Sequence, residues 1–296
     1  MPLLSTLAFI ANHPLNRGRK ARAWADYFKW QIGSRLVPGQ VIYSWINGSR
    51  IILRHGETGV TGNVYCHLHD FGDMAYLLHV LRPDDLFVDV GANVGSYTIL
   101  ACAAKGAKGI CFEPVPSTFD RLMDNLRIND LSERVEAKNI GLSNREDELS
   151  FTSAEDTTNH IVARDEPASN VVRVKVLPLD AVLADGTPSL LKIDVEGFET
   201  PVLEGARQTL GKPGLHSVIM ELNGSGKRYG FEDSQIIDYM ASFGFSTFRY
   251  EPFSRELIGV SGHDCLSGNT LFVRDAREIQ ARLSQAPQVL VGTVWL

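Results

Sequence analysis

The feature that most limits how this chain can fold is the segment 86–100, which reads LFVDVGANVGSYTIL. It starts with an apolar, β-branched run, continues through a turn that contains Gly91 and Gly95, and takes a helical pattern from Val94. A strand, a tight turn and a helix in this order predict the place where an open α/β sheet holds a cofactor. Gly91 allows the main chain to come close to a ligand, and Gly95 allows the helix to pack against the strand.

Strand patterns alternate with helical patterns from residue 86 onward. The patterns predict strands at 86–90, 109–113, 134–140, 190–193, 215–220, 245–250 and 269–274, and helices at 94–105, 117–129 and 232–243. Such alternation is typical of a mostly parallel sheet with helices on both faces. We therefore expect an α/β fold that binds its ligands beyond the carboxyl ends of the strands.

The remaining segments surround this core. Residues 1–82 predict an N-terminal cap of helix, hairpin and helix, with Asn47-Gly48 as the hairpin turn. Residues 83–275 form the main domain, which a hairpin-like insertion at 144–177 interrupts. The tail 276–296 ends in an apolar stretch that packs on the domain or on a second subunit, so a homodimer is one expectation.

Composition and net charge indicate in which compartment the protein resides and which classes of partner it binds. The net charge of −6 argues against nucleic acid as the main partner, because nucleic-acid binders usually carry a basic excess. No apolar run approaches the ~20 residues that span a bilayer, and we find no export signal. The four cysteines are widely spaced and fit reduced thiols. We expect a cytoplasmic protein.

A basic, aromatic stretch lies in the leader between residues 17 and 35. It contains six basic residues against the single acid Asp26, and Trp24, Tyr27, Phe28 and Trp30 are interleaved with them. One interpretation, which we favour, is a helix that packs its aromatic face on the domain. The other is a helix that makes weak contact with a membrane surface or docks on a partner.

Acidic side chains follow several of the predicted strands. Glu113 ends the second strand, where a carboxylate can accept hydrogen bonds from both hydroxyls of a ribose. Asp194 and Glu196 follow the fourth strand, and Glu221 with Asn223 follows the fifth. Because these ends meet at one edge of a parallel sheet, we expect the acids to surround a common site.

The glycine spacing separates two classes of cofactor. A dinucleotide fingerprint requires glycine at positions 91, 93 and 96, but the chain has Gly91, Asn93 and Ser96, which disfavours a nicotinamide-dependent oxidoreductase. The form D-x-G-x-N-x-G from Asp89 to Gly95 instead resembles the first motif of S-adenosylmethionine-dependent methyltransferases.

Four motifs together resemble the FkbM family of S-adenosylmethionine-dependent methyltransferases, over about residues 70–275. They are FVDVGANVGSYT, Glu113-Pro114, the N-L-x-x-N pattern from Asn125 to Asn129 with Asp120 or Asp124 before it, and LLKIDVEGFE at 190–199. The resemblance implies a Rossmann-like, seven-strand class I methyltransferase fold and methylation of a hydroxyl on a sugar or glycan, a glycolipid or a small natural product. It implies S-adenosylmethionine binding by Asp89, Gly91, Ala92, Asn93, Gly95, Ser96, Tyr97, Glu113, Pro114, Asn139, Gly141 and Asp194.

The chemistry of methyl transfer to a hydroxyl indicates which acidic residues are candidates for a catalytic role. A neutral hydroxyl is a poor nucleophile, so a general base is expected, with Asp194 or Glu196 as the first candidates and Glu221 as the third. A less favoured variant is metal-assisted, with Mg²⁺ held by Asp194, Glu221 and Asn223. A third alternative is a non-catalytic module of the same fold that acts as a scaffold or binding protein.

Overall fold

Helices and strands alternate through most of the chain in the computed structural model, which describes residues 3–37, 39–57, 60–153, 158–163, 166–167, 169–183 and 186–296. The α-helices are α1 (Leu3–Asn12), α2 (Lys20–Leu36), α3 (Gly62–Cys66), α4 (Phe71–Val80), α5 (Ser96–Ile99), α6 (Pro116–Ile128), α7 (Leu179–Val182), α8 (Glu199–Glu204), α9 (Arg207–Gly211), α10 (Asp233–Ser242) and α11 (Ala276–Ser284). The strands are β1 (Gln40–Ser44), β2 (Arg50–Arg54), β3 (Leu86–Val90), β4 (Lys108–Phe112), β5 (Val135–Lys138), β6 (Gly141–Leu142), β7 (Asp147–Thr152), β8 (Val171–Leu177), β9 (Leu190–Ile193), β10 (Ser217–Glu221), β11 (Ser246–Glu251), β12 (Glu256–Gly259), β13 (Asn269–Val273), β14 (Leu290–Val291) and β15 (Val294–Trp295).

An eight-stranded sheet organises the main domain, in the order β12-β11-β13-β10-β9-β3-β4-β5. The strands from β10 to β5 run parallel, and β13 pairs antiparallel with both β10 and β11. This topology confirms the expected Rossmann-like α/β fold. The eighth strand, β12, was not predicted: it is a short edge strand whose residues are mostly exposed, so its sequence carries no burial pattern.

Two apolar clusters cover the two faces of the sheet. Phe87 belongs to one cluster and its neighbour Val88 to the other, because successive residues of a strand point to opposite faces. Helix α4 contributes to the first cluster, and its Tyr76 hydroxyl shares a hydrogen bond with Ser217 of β10. The sequence places α4 in the cap, whereas the structure packs it on the sheet.

Helix α5 shows why the turn after β3 matters. The helix begins at Ser96, two residues later than predicted, because Gly95 caps it in the left-handed region at φ 92°. From Leu100–Ala104 the chain continues as one π-helical turn. The predicted third strand also ends early, at Lys138, and Gly141–Leu142 joins β8 in a separate sheet of order β6-β8-β7 that forms the insertion.

The hairpin and the tail complete the fold. The β1–β2 hairpin is confirmed, with Asn47 and Gly48 at positive φ in its turn. In the tail, Val291 and Leu296 are buried in the first cluster, and the Arg255 guanidinium donates to the Leu296 carbonyl at 3.0 Å. The tail therefore packs on its own chain, and the homodimer stays a prediction. Among the described residues, no helix has the length and apolar character needed to cross a membrane.

Candidate active site

A cavity of about 440 Å³ lies at the carboxyl ends of β3, β4, β9 and β10. This is the edge of the sheet at which ligands were expected. All three predicted catalytic acids line it, as do ten of the twelve residues predicted to bind the cofactor. The two that do not line it are Gly95 and Asn139.

Two glycines hold the turn after β3 against its neighbours. Gly91 has φ +78°, and a Cβ at this position would lie 1.8 Å from the carbonyl oxygen of Asp194. The turn after β3 thus touches the turn after β9 and brings the two motifs together. At Gly95 a Cβ would lie 2.6 Å from Leu122 of α6, so this glycine makes room for a helix, whereas the sequence suggested packing on the strand.

Glu113 is buried at the end of β4 and is held by the main chain. Its carboxylate accepts hydrogen bonds from the N–H of Asn93 at 2.9 Å and of Val115 at 3.0 Å. Burial raises the pKa of Glu113 to about 7, although these two hydrogen bonds act in the opposite direction. The Asn139 amide donates to the carbonyls of Glu113 and Pro114, at 2.8 and 3.0 Å, and so supports this turn from outside the cavity.

A buried lysine, Lys192, lies between the two motifs and was missed at the level of sequence. It is paired in register with Asp89 of β3, and its ammonium donates to Asp194 at 2.8 Å. The same ammonium lies 4.7 Å from the ring centroid of Tyr97. Burial lowers the lysine's pKa, but Asp194 and Asp89 outweigh it and hold the pKa above its usual range. The available signal was a lone charge inside the apolar strand 190–193.

Asp89 has one oxygen free for a ligand. Its Oδ2 accepts a hydrogen bond from the Thr98 hydroxyl at 2.6 Å, while Oδ1 is buried and has no partner among the described residues. A buried carboxylate oxygen without a partner is costly, so a ligand donor at this point of the cavity would be stabilising.

Three carboxyl groups, those of Asp194, Glu196 and Glu221, form a cluster. One oxygen of each lies within 4.8 Å of the others. Burial, followed by the neighbouring Asp194, raises the pKa of Glu196 to about 7 and that of Glu221 to about 9. Near neutral pH, Glu221 is therefore protonated and Glu196 is divided between its two forms. Such a division is what a general base requires.

The backbone of this cluster is held in an uncommon conformation. Glu196 has φ +55°, and Gly197 follows at φ +101° with a Cβ position only 2.7 Å from the main chain of Ser225. The buried Glu199 carboxylate accepts from the N–H groups of Val195 and Gly197, both at 3.2 Å. Strain of this kind costs about 1–3 kcal/mol and is usually retained at functional sites.

The raised pKa of Glu221 predicts how stability depends on pH. A carboxyl whose pKa is raised by folding stabilises the protein below its unfolded pKa, and this contribution is lost as pH rises through the folded value. We expect the melting temperature to fall between about pH 6 and about pH 9, and Glu221→Gln to reduce that fall. Thermal unfolding at both pH values measures this. The exposed Glu133→Gln is the control, and an equal fall in both variants would contradict the assignment.

The structure brings together two of the three residues in the metal set predicted from sequence. Asp194 and Glu221 lie with Glu196 in one group of carboxylates, within the described residues, that could hold an ion. The third predicted ligand, Asn223, stays a prediction, and its side-chain oxygen accepts from the Ser225 N–H at 2.9 Å. Hard cations such as Mg²⁺ prefer such oxygen ligands.

The insertion and the leader supply the other walls of the cavity. Phe151 and Ile161 of the insertion line it, and the Tyr229 hydroxyl donates to the Ile161 carbonyl at 2.5 Å. Asn63 and Asp70 line it from the leader side, and the Tyr97 hydroxyl donates to Asp70 at 3.0 Å. These walls come from the segments that carry no recognisable motif.

The part of the chain that forms this site matches a known protein family. The sequence profile of the methyltransferase FkbM domain matches residues 89–247, which is more than half of the chain. This chain belongs to the FkbM family of methyltransferases. The matched span starts at Asp89 and includes Asp194, Glu196 and Glu221, so the turn after β3 and the carboxyl cluster both lie inside the FkbM domain.

Two curated relatives each match about half of the chain. The chain is 32% identical to the hexuronic acid methyltransferase AglP of Haloferax volcanii over 50% of this chain and 59% of the relative. It is 30% identical to methyltransferase 1 of Beauveria bassiana over 48% of this chain and 66% of that relative. The matches thus span about three fifths to two thirds of these relatives. Among solved structures, an rRNA methylase from Streptococcus thermophilus is 12% identical, with a TM-score of 0.40 over 68% of this chain and 91% of that one.

Proposed function

We propose that this FkbM-family protein transfers a methyl group from S-adenosylmethionine to a hydroxyl oxygen of a sugar-type acceptor. The observation that carries the proposal is the contact between the turn at Gly91 and the carboxyl cluster that begins at Asp194. One cavity therefore contains both a cofactor motif and a candidate general base. Membership in the FkbM family supports the reaction, and the hexuronic acid methyltransferase among the relatives supports a sugar.

The charges of the cavity fit a cationic cofactor. Among the described residues, six carboxyl groups line it, of which Glu221 is protonated near neutral pH, against one ammonium, that of Lys192. A sulfonium that also carries an amino group would be attracted by this excess of acids. Glu113 retains lone pairs for ribose hydroxyls, and Asp89 Oδ1 offers a further acceptor. The cofactor would supply an electrophilic methyl group when bound.

The three carboxyl groups of the cluster have different roles in the proposed methyl transfer. With the cofactor bound, its sulfonium would give up the methyl group to the acceptor oxygen, and Glu196 would take the proton that the acceptor hydroxyl loses. The pKa of about 7 suits Glu196 to this role, whereas Glu221, at about 9, holds its own proton at neutral pH. Asp194 is engaged by the Lys192 ammonium and fixes the edge of the cavity.

The carboxyl cluster also supports a metal-assisted alternative. Asp194, Glu196 and Glu221 would hold Mg²⁺, which would lower the pKa of the acceptor hydroxyl and replace the general base. The two mechanisms differ in their response to chelation: a chelator abolishes turnover only in the second. The scaffold alternative differs from both, because it requires cofactor binding without turnover.

Calorimetric titration with S-adenosylhomocysteine, with and without Mg²⁺, tests the cofactor assignment. We expect micromolar binding by the intact protein and a loss of about tenfold in affinity for Asp89→Asn and for Glu113→Gln, since each removes one acceptor. Glu133→Gln is the exposed control and should bind as the intact protein does. Absence of binding by the intact protein would exclude the proposed reaction, and unchanged affinity in both variants would exclude the proposed cofactor contacts.

A further inference from the structure

The outer face of α2 is an exposed apolar strip. Trp24, Phe28, Ile32 and Leu36 recur every four residues and are all exposed, Ile32 by 58% and Leu36 by 75%. The opposite face packs on the protein, where Ala23 is buried and the Tyr27 ring lies 5.1 Å from that of Tyr65 in α3. The aromatic residues of the leader are thus split between the two faces: the inner face packs on the protein, as the favoured interpretation expects, and the outer face is left exposed.

Helix α1 extends the strip. Leu4 is 81% exposed, and Leu3 and Phe9 are also exposed. The Trp24 indole donates to the Leu7 carbonyl at 3.0 Å and ties the two helices together. Scattered exposed apolar side chains are ordinary on a protein surface, but apolar side chains exposed at regular spacing along α2 and again on the neighbouring α1 mark a site of association.

Cationic side chains border the strip. Among the described residues of α2, no unpaired acidic side chain borders it. Lys20, Arg22, Lys29 and Arg35 are exposed on this helix. The one acid of the helix, Asp26, is paired with Arg19 at 2.9 Å on the side toward the protein. This local excess of positive charge stands out in a chain whose net charge is −6.

We infer that the α1–α2 surface docks on an anionic lipid bilayer. An apolar face between long cationic side chains suits the headgroup boundary, because the apolar groups enter it while the cations reach lipid phosphates. A second copy of the chain fits less well, since a two-fold interface would place the same cations opposite each other. Helix α2 packs on α3, whose Asn63 lines the cavity.

Sedimentation of the full chain with lipid vesicles tests the docking surface. We expect binding to phosphatidylcholine vesicles that contain about 30% phosphatidylserine and little binding to phosphatidylcholine alone. Lys29→Ala and Arg22→Ala should each lower partitioning about fivefold, and the double variant Phe28→Ser with Ile32→Ser about tenfold or more. These side chains are exposed, so the variants should fold, which circular dichroism checks.

Matched controls come from other exposed surfaces of the protein. Leu266→Ser removes an apolar side chain that is more exposed than Phe28 or Ile32, and Arg173→Ala removes an exposed cation, so both should bind vesicles as the intact chain does. Failure to bind anionic vesicles, or equal losses in the controls, would overturn the inference. A concentration-dependent dimer that the Phe28→Ser, Ile32→Ser variant dissociates in light scattering, without vesicle binding, would assign the surface to a second copy.

Discussion

Replacing Glu196 by Gln is expected to lower kcat by about 10²–10⁴-fold while leaving the affinity for S-adenosylhomocysteine unchanged. Glutamine has nearly the same shape but cannot accept the acceptor's proton. Because the carboxylate must be ionised to act, and burial with the neighbouring Asp194 raises its pKa to about 7, kcat of the intact protein should rise with pH through that region. The variant should lose this rise. Release of S-adenosylhomocysteine on a panel of hydroxylated sugars measures both effects.

Two comparisons sharpen this test. Glu221→Gln replaces a carboxyl that is protonated at neutral pH, so its effect on kcat near pH 7 should be much smaller than that of Glu196→Gln. Cofactor affinity, measured by calorimetry, separates a catalytic loss from a binding loss. Full turnover in Glu196→Gln would assign the base elsewhere. Loss of turnover on chelation, with restoration by Mg²⁺, would favour the metal-assisted alternative.

Gly91→Ala should destabilise the fold by more than about 3 kcal/mol and abolish cofactor binding. The added methyl group would lie 1.8 Å from the Asp194 carbonyl oxygen, which cannot move without separating the ends of β3 and β9. The positive φ adds strain of its own. Urea unfolding measures the free energy difference, and titration with S-adenosylhomocysteine measures the loss of binding.

Gly106→Ala provides a matched control for this glycine. Gly106 has φ +77°, almost the same as the +78° of Gly91, but its Cβ would meet only Pro83 at the ordinary contact distance of 3.9 Å. This variant should cost only the conformational strain, about 1–2 kcal/mol. The difference between the two variants isolates the collision with Asp194. Equal costs would show that the close approach of the two turns contributes nothing.

Local patterns were sufficient for most of the fold. Alternating apolar runs and glycine turns predicted the strands of the parallel sheet and the helices α6 and α10 within a few residues. The Asn47-Gly48 pair predicted the β1–β2 hairpin. What local patterns did not predict was β12, because an exposed edge strand is defined by the neighbour it pairs with and has little pattern of its own.

The sequence predicted which acidic residues lie at the candidate site, but it did not predict the contacts between residues of the site. The carboxyl ends of parallel strands meet at one edge, so Asp194, Glu196 and Glu221 could be grouped from sequence. The role of Lys192 could not, because it depends on the strand register that sets it opposite Asp89. Neither could the hydrogen bond that the Asn223 side-chain oxygen accepts from the Ser225 N–H.

A single ammonium, that of Lys192, couples two carboxylates of the cavity electrostatically. Lys192 stabilises the negative charge of both Asp89, on the side of the cofactor turn, and Asp194, at the carboxyl cluster. A ligand cation beside Asp89 adds to the positive potential that Lys192 exerts at Asp194, and a change of charge at Asp194 acts on Asp89 in the same way. Occupants of the two halves of the cavity must then alter each other's affinity reciprocally, by an equal factor.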